Sequence, residues 1–236
     1  MKTKAVLFDL DGTLLPMDAE AFAKAYFGGL AKAMAVRGFE PQKFIQSIWK
    51  GVGAMVKNTG VRTNENAFWD AFALIYGEGV RENEPYFEAY YREHFDEVEK
   101  ACFPTPKAKQ IVDKIKNKGV TVALATNPVF PQIATKKRMN WAGLEEGDFA
   151  LYTTYENSTH CKPNLDYYRD ILASLGLKGE ECIMVGNDVD EDMVAEELGM
   201  KVFLLTDWLL NKSGKDIGVY PHGNFDDLDK FIDENL

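Results

Sequence analysis

Cysteine is scarce in this chain: Cys102, Cys161 and Cys182 are the only three in 236 residues. An odd, widely spaced set with no paired ligand spacing excludes a disulfide framework and a cysteine metal centre. Histidine is equally scarce. His94, His160 and His222 are scattered, none forms a ligand pair, and only His160 falls near other candidate site residues. Positive charge is short as well, with 27 Lys and Arg against 37 Asp and Glu and a formal net charge of -10. That balance argues against nucleic-acid or anionic-membrane partners. An enzyme for anionic substrates would need local positive charge or a metal. No apolar run approaches the roughly 20 residues of a spanning helix. The N-terminus enters a strand pattern almost at once, so no cleavable leader is expected and a cytoplasmic location is. Repeats and low-complexity segments are absent too.

The chain is organised around Lys4-Ala5-Val6-Leu7-Phe8-Asp9-Leu10-Asp11-Gly12-Thr13-Leu14. A continuous apolar run ended by polar residues and Gly reads as a strand buried on both faces, as in a parallel sheet. Asp9 then stands at the carboxyl end of that strand, where open α/β sheets hold their ligands. Two carboxylates so close are costly to bury unless a metal or a positive group compensates.

From Leu15 to Phe103 the pattern is helical, with roughly four helices: Asp18–Arg37, Pro41–Val56, one opened by Thr63, and Glu84–Glu99. Phe68, Trp69, Phe72, Tyr86, Phe87, Tyr90, Tyr91 and Phe95 recur at helical intervals and are expected to form the core of this bundle. After Pro104 strand and helix alternate. Strands are expected at Val120–Ala125, Phe149–Thr154, Cys182–Val185 and Val202–Leu205. Helices are expected at Lys107–Lys118, Gln132–Trp141, Leu165–Leu175, Asp190–Leu198 and Asp226–Asn235. Repeated strand–helix units imply an α/β fold with a Rossmann-like parallel sheet and right-handed crossovers. The expected division is a core of residues 1–14 and 104–236 with an inserted helical domain at 15–103.

The polar residues at the strand ends form a set. Thr126-Asn127 offers a hydroxyl followed by a backbone N–H, suited to a phosphate oxygen. Lys162 precedes a helix and can bring a compact positive charge toward Asp9. Gly186 leads into Asn187-Asp188-Val189-Asp190-Glu191-Asp192, a carboxylate cluster that suits Mg²⁺. Asp190 and Glu191 are accounted for by a helix N-terminus. Asp188, at the strand end, is not.

In order and spacing these four pieces resemble the haloacid dehalogenase superfamily of hydrolases, most of which are phosphatases. Asp9-Leu10-Asp11-Gly12-Thr13 matches the first motif in full, Thr126 the second, Lys162 the third and the Asp188 region the fourth. The helical block matches the cap of one branch. The resemblance implies strand order 5-4-1-2-3 and a Mg²⁺-dependent phosphatase for a small-molecule phosphate monoester. Asp9 would be the nucleophile, forming an aspartyl-phosphate, and Asp11 the general acid and base. Thr126, Asn127 and Lys162 would clamp the phosphate. Mg²⁺ would be held by the Asp9 side chain, the Asp11 carbonyl and Asp188. One departure stands out: the usual fourth motif has Asp directly after the Gly, and here that place is Asn187. Asp188 is favoured as the third ligand on charge grounds, with the Asn187 amide oxygen as the alternative. Asp192, one turn on, is expected to orient a metal-bound water or Lys162.

Asp11 argues against a dehalogenase and the phosphonate-cleaving branch, neither of which keeps that carboxylate. A phosphomutase would keep every one of these residues, and a silent metal- or phosphate-binding module is the reading from another class. Arg37, Lys50, Lys57 and Arg62 are candidate substrate contacts only because they are basic. An oligomer is compatible with the sequence but not indicated by it.

Overall fold

The computed structural model describes residues 2–236. Six strands form one all-parallel sheet in the order β3-β2-β1-β4-β5-β6. They are β1 Ala5–Phe8, β2 Thr121–Leu124, β3 Leu151–Tyr152, β4 Cys182–Gly186, β5 Lys201–Leu205 and β6 His222–Gly223. The first five keep the expected order. The correction is a sixth strand outside β5: two residues that carry no strand pattern of their own and pair in parallel with Leu204 and Leu205, with Leu204 N–H donating to the Pro221 carbonyl and Thr206 N–H to the Gly223 carbonyl.

All four residues of β1 are buried, and its side chains alternate between two cores. Val6 and Phe8 join the core that extends into the helices after β1, while Ala5 and Leu7 pack with Tyr167, Tyr168, Met184 and Leu204 on the other face. Between β1 and β2 the chain is helical, with α1 Ala19–Ala35, α2 Pro41–Val56, α3 Asn64–Tyr76 and α4 Glu84–Glu93. Asp18, Glu40 and Thr63 cap the first three by accepting from N–H groups of the first turn. The helix expected over Glu84–Glu99 breaks at His94 and continues as a 3-10 segment, Phe95–Ala101. After β2 come α6 Gln132–Trp141, α7 Leu165–Leu175 and α8 Phe225–Asn235, with α5 Pro106–Asn117 ahead of it.

Two further expectations are narrowed. The strand over Phe149–Thr154 is only Leu151–Tyr152, and the helix over Asp190–Leu198 is a 3-10 segment at Met193–Leu198. Asp188 shapes the second, since its Oδ1 accepts from the N–H groups of Asp190 and Glu191 and folds the preceding residues into a side-chain-capped turn. Among the described residues no helix is long and apolar enough to cross a membrane, and the three cysteines are free and buried.

Candidate active site

The register fixes where the polar residues meet. Phe8 pairs with Leu124 on one side and Val185 on the other. Asp9 N–H then donates to the Val185 carbonyl at 2.9 Å, and Ala125 N–H to the Phe8 carbonyl at 2.7 Å. Asp9 is therefore level with Ala125 and Gly186, and Thr126 and Asn187 follow one residue further on at the same edge of the sheet.

Lys162 lies in the turn before α7, follows Cys161 and is joined to Pro163 by a cis peptide. It is 1% exposed. Its Nζ donates to Asp9 Oδ1 at 2.8 Å and to Asp192 Oδ1 at 2.7 Å. Burial works against the ammonium charge, but the Asp192 and Asp9 carboxylates outweigh it and hold the Lys162 pKa well above its ordinary value. Asp192 is thus placed to orient Lys162, and its Oδ2 also accepts from the Asp188 N–H at 3.0 Å. Asp192 lies across Gly186 so closely that a Cβ there would come within 2.1 Å of its Oδ2. Glycine at 186 is what lets the carboxylate reach inward.

The Thr13 hydroxyl stands between two oxygens, 3.2 Å from Asp9 Oδ2 and 3.1 Å from Asn187 Oδ1. Asn187 Nδ2 donates to the Trp208 carbonyl at 2.6 Å. That bond turns the amide oxygen toward Asp9 and explains the amide itself, since a carboxylate at 187 would meet the Trp208 carbonyl oxygen with no proton between them. Trp208 in turn stacks on Phe103, with ring centroids 5.1 Å apart. Gly12 has φ +87 and a Cβ on it would lie 2.2 Å from Asn187 Nδ2, so this turn needs glycine twice over.

Asp188 is close by but turned to another use. Its Oδ1 is held by the turn that follows, as described above. Thr126 is 2% exposed. Its carbonyl accepts from Thr153 and Tyr167, and those bonds anchor the loop without using its hydroxyl. Asn127 Nδ2 donates to Glu191 Oε2 at 3.0 Å, so what Asn127 can offer an anion is its backbone N–H. Asn64, fully buried at the start of α3, donates to the Pro128 and His160 carbonyls at 3.2 Å each and ties that helix to both site loops.

Sequence reasoning missed one residue. Arg138 on α6 is 0% exposed and forms an ion pair with Asp11 Oδ2. Its Nε also donates to the Ala134 carbonyl, an NH2 group to Thr135 Oγ1, and its guanidinium lies 4.3 Å above the Phe130 ring. In Lys136-Lys137-Arg138 it reads as the third of three solvated cations. The available signal was its helical spacing from Ala134 and Trp141, both on the inward face. Burial raises the Asp11 pKa, Arg138 opposes that rise, and the nearby Asp9 charge adds to it.

Two of the basic candidates and His160 are engaged with other groups. Arg37 sits over the Tyr86 ring, Arg62 pairs with Asp70, and His160 Nδ1 is engaged with Asp170 at 2.7 Å. The aromatic set is core as expected, with Tyr86 the exception at 41% exposed. Phe68, Trp69, Phe87 and Tyr91 also line a cavity of about 270 Å³ that opens onto Asp11.

Among the described residues no three His, Cys, Asp or Glu side chains converge as a metal cluster. What the structure brings side by side is a carboxylate oxygen and an amide oxygen, Asp9 Oδ2 and Asn187 Oδ1, both within hydrogen-bond reach of the Thr13 hydroxyl. Neutral and anionic oxygens of this kind suit Mg²⁺, which keeps several of its own waters.

Residues 3–199 match the haloacid dehalogenase-like hydrolase family. A ribulose-1,5-bisphosphate 5-phosphatase of Halopiger xanaduensis is 26% identical over 213 residues, covering 85% of this chain and 83% of that protein. A glyceraldehyde 3-phosphate phosphatase of Methanothermobacter thermautotrophicus is 24% identical, covering 92% and 94%. Among solved structures, a HAD phosphatase from Thermococcus onnurineus superposes with a TM-score of 0.60 at 17% identity, covering 98% of each chain.

Proposed function

Because the chain belongs to the haloacid dehalogenase-like hydrolases, we propose that it is a Mg²⁺-dependent phosphatase of a small-molecule phosphate monoester, acting through an aspartyl-phosphate. The observation that carries this reading is the pair Asp9 and Asp11 with their separate partners: Lys162 on Asp9, and Arg138 on one oxygen only of Asp11. The substrates named for the two relatives belong to the same chemical class.

A carboxylate oxygen of Asp9 attacks phosphorus in line, a new O–P bond forms, and the bond from phosphorus to the leaving oxygen breaks. Asp11 gives its proton to that oxygen, so an alcohol departs rather than an alkoxide. In the second half Asp11 takes a proton from water, the water oxygen attacks phosphorus, and Asp9 is released with inorganic phosphate. Lys162 stays on Asp9 Oδ1 and offsets charge as the dianion approaches. The Thr126 hydroxyl and the Asn127 N–H take phosphate oxygens. Asp9, the Asp11 carbonyl and Asn187 or Asp188 would hold Mg²⁺. When bound, the ion supplies charge neutralisation between nucleophile and phosphate. Residues 15–103 serve as a cap over the core formed by 1–14 and 104–236, excluding bulk water from the reaction.

Incubation with p-nitrophenyl phosphate, with and without Mg²⁺, tests this beside Asp9→Asn. The expected result is Mg²⁺-dependent release of phosphate, lowered at least about 10³-fold by the substitution, with a phosphoryl group found on Asp9 by mass spectrometry of rapidly quenched enzyme. Equal turnover by both proteins would remove Asp9 as the nucleophile.

A further inference from the structure

The cavity that opens onto Asp11 has an unusual wall. It is built by α1, α2, α3, α4 and the loop after β2, and among the described residues Asp11 is the only carboxyl group lining it, with no Lys or Arg. Tyr26, Tyr91 and Tyr155 line it too; the first two hydroxyls are 2.7 Å apart and bonded to each other, and the third lies beside Trp69. Arg138, the cation in contact with Asp11, is fully buried against Phe130 and already paired. A second phosphate or a carboxylate on the substrate would find no free positive charge there, and stripping such a group of water without a partner is prohibitive.

Two buried polar atoms on this wall lack any hydrogen-bond partner: Asp11 Oδ1 and Trp69 Nε1. Such atoms are rare in a folded protein and call for an explanation. Asp11 Oδ1 stands where a leaving oxygen would need its proton. Trp69, 3% exposed, directs its N–H toward the Tyr155 hydroxyl without a well-formed bond, so this donor is available to a neutral acceptor oxygen. A volume of about 270 Å³ corresponds to roughly nine waters at ~30 Å³ each, enough for a one- or two-ring group.

We propose that this cavity is the leaving-group subsite for phosphate monoesters of apolar, ring-bearing alcohols that carry no second charge and accept one hydrogen bond from Trp69. The proposal rests on the phosphatase reading above and names its substrate class.

The test compares alkyl phosphates of similar intrinsic reactivity. With the full-length Mg²⁺-loaded enzyme, kcat/KM for 2-phenylethyl phosphate should exceed that for glycerol 1-phosphate, ribose 5-phosphate and fructose 1,6-bisphosphate by about 100-fold, as burial of one ring predicts. Trp69→Phe should lower the ratio of kcat/KM for the 4-acetylphenylethyl ester to that for the 4-ethylphenylethyl ester by about tenfold. Val52→Phe, which fills the cavity without adding charge, should raise KM for the phenylethyl ester. Asp9-dependent hydrolysis that favours the sugar phosphates would overturn the subsite and leave the phosphatase reading intact. If no ester is hydrolysed, the phosphatase reading fails. Calorimetry with 2-phenylethanol then decides the cavity: saturable binding weakened by Val52→Phe upholds an apolar ring site, and its absence overturns it.

Discussion

Arg138 and Asp11 lie 127 residues apart in sequence and form an ion pair with the guanidinium fully buried. The two oxygens of Asp11 are thereby differentiated. Oδ2 belongs to Arg138, and Oδ1 is left without a partner. A carboxyl group pinned by one oxygen presents the other in a fixed direction, which is what a general acid two residues beyond a nucleophile requires. On the reading proposed above Arg138 is a positioning residue, and it also limits how far burial raises the Asp11 pKa.

The energetic content of that pair is measurable by a double-mutant cycle. Asp11→Ala strands a buried guanidinium, and Arg138→Met strands a carboxylate in a largely apolar setting. Each should cost about 3–5 kcal/mol in urea unfolding. The double variant should be less destabilised than the sum by about 2 kcal/mol or more, because neither charge is then left alone. Additive costs would show that the two side chains do not stabilise each other.

Glycine substitutions separate backbone strain from crowding at the site. Gly38 has φ +86 with nothing within 4 Å of a built Cβ, so Gly38→Ala reports conformational strain alone, about 1–2 kcal/mol. Gly12 has φ +87 but its Cβ would strike Asn187, and Gly186→Ala would strike Asp192. Overpacking should add about 1–3 kcal/mol to the strain at Gly12 and cost about as much by itself at Gly186, which has no left-handed φ, and both should lower phosphatase turnover while Gly38→Ala does not. If Gly12→Ala and Gly38→Ala melt alike, the contact with Asn187 is looser than described.

Much of this arrangement was legible because parallel strands place their ends level. Apolar runs that stop at Asp9, at Thr126 and at Asn187 announce three strand ends, and a parallel register does the rest. The order of the first five strands came from the family resemblance and not from periodicity. What stayed hidden depended on partners remote in sequence. Asn187 looked like a weakened metal ligand until the Trp208 carbonyl, 21 residues on, showed what its amide donates to. Arg138 sat among lysines, and nothing in α6 alone tells a buried cation from a solvated one. The aromatic spacing on α3 and α4 predicted inward-facing rings, but periodicity cannot say whether the space they face is filled. The two-residue strand β6 has no pattern to read.

The role of Asn187 predicts how Mg²⁺ should couple to stability. Asn187→Asp removes the donor to the Trp208 carbonyl and adds a second charge beside Asp9. Without metal the variant should lose about 1–3 kcal/mol, a fall in Tm of roughly 2–10 °C for a chain of this size. Adding Mg²⁺ should raise its Tm by more than it raises that of the wild type, since the ion then meets one more carboxylate. A matched Asp188→Asn variant completes the comparison. If Mg²⁺ raises the Tm of Asn187→Asp and wild type equally while Asp188→Asn loses the response, the ion is held by Asp188.

Asp148 supplies an acid-stability prediction far from the site. Burial alone would raise its pKa, but hydrogen bonds from Lys109, Lys116 and the Glu145 N–H outweigh burial and pull it down to about 2. Its carboxylate is 8% exposed and accepts from both lysines at 2.8 Å. A group whose folded pKa lies below its ordinary value of 3.8 binds protons more readily when unfolded. Its contribution is therefore complete above that value, and it is lost as pH falls from there toward 2. The depression corresponds to about 2 kcal/mol, reduced toward 1 because both lysines are partly solvated. Urea unfolding of wild type and Asp148→Asn should thus differ by about 1–2 kcal/mol at pH 7. The difference should narrow progressively as the pH is lowered below about 4. A gap that stayed constant down to pH ~2.5 would mean that Asp148 stabilises by its shape and backbone bond rather than by its charge.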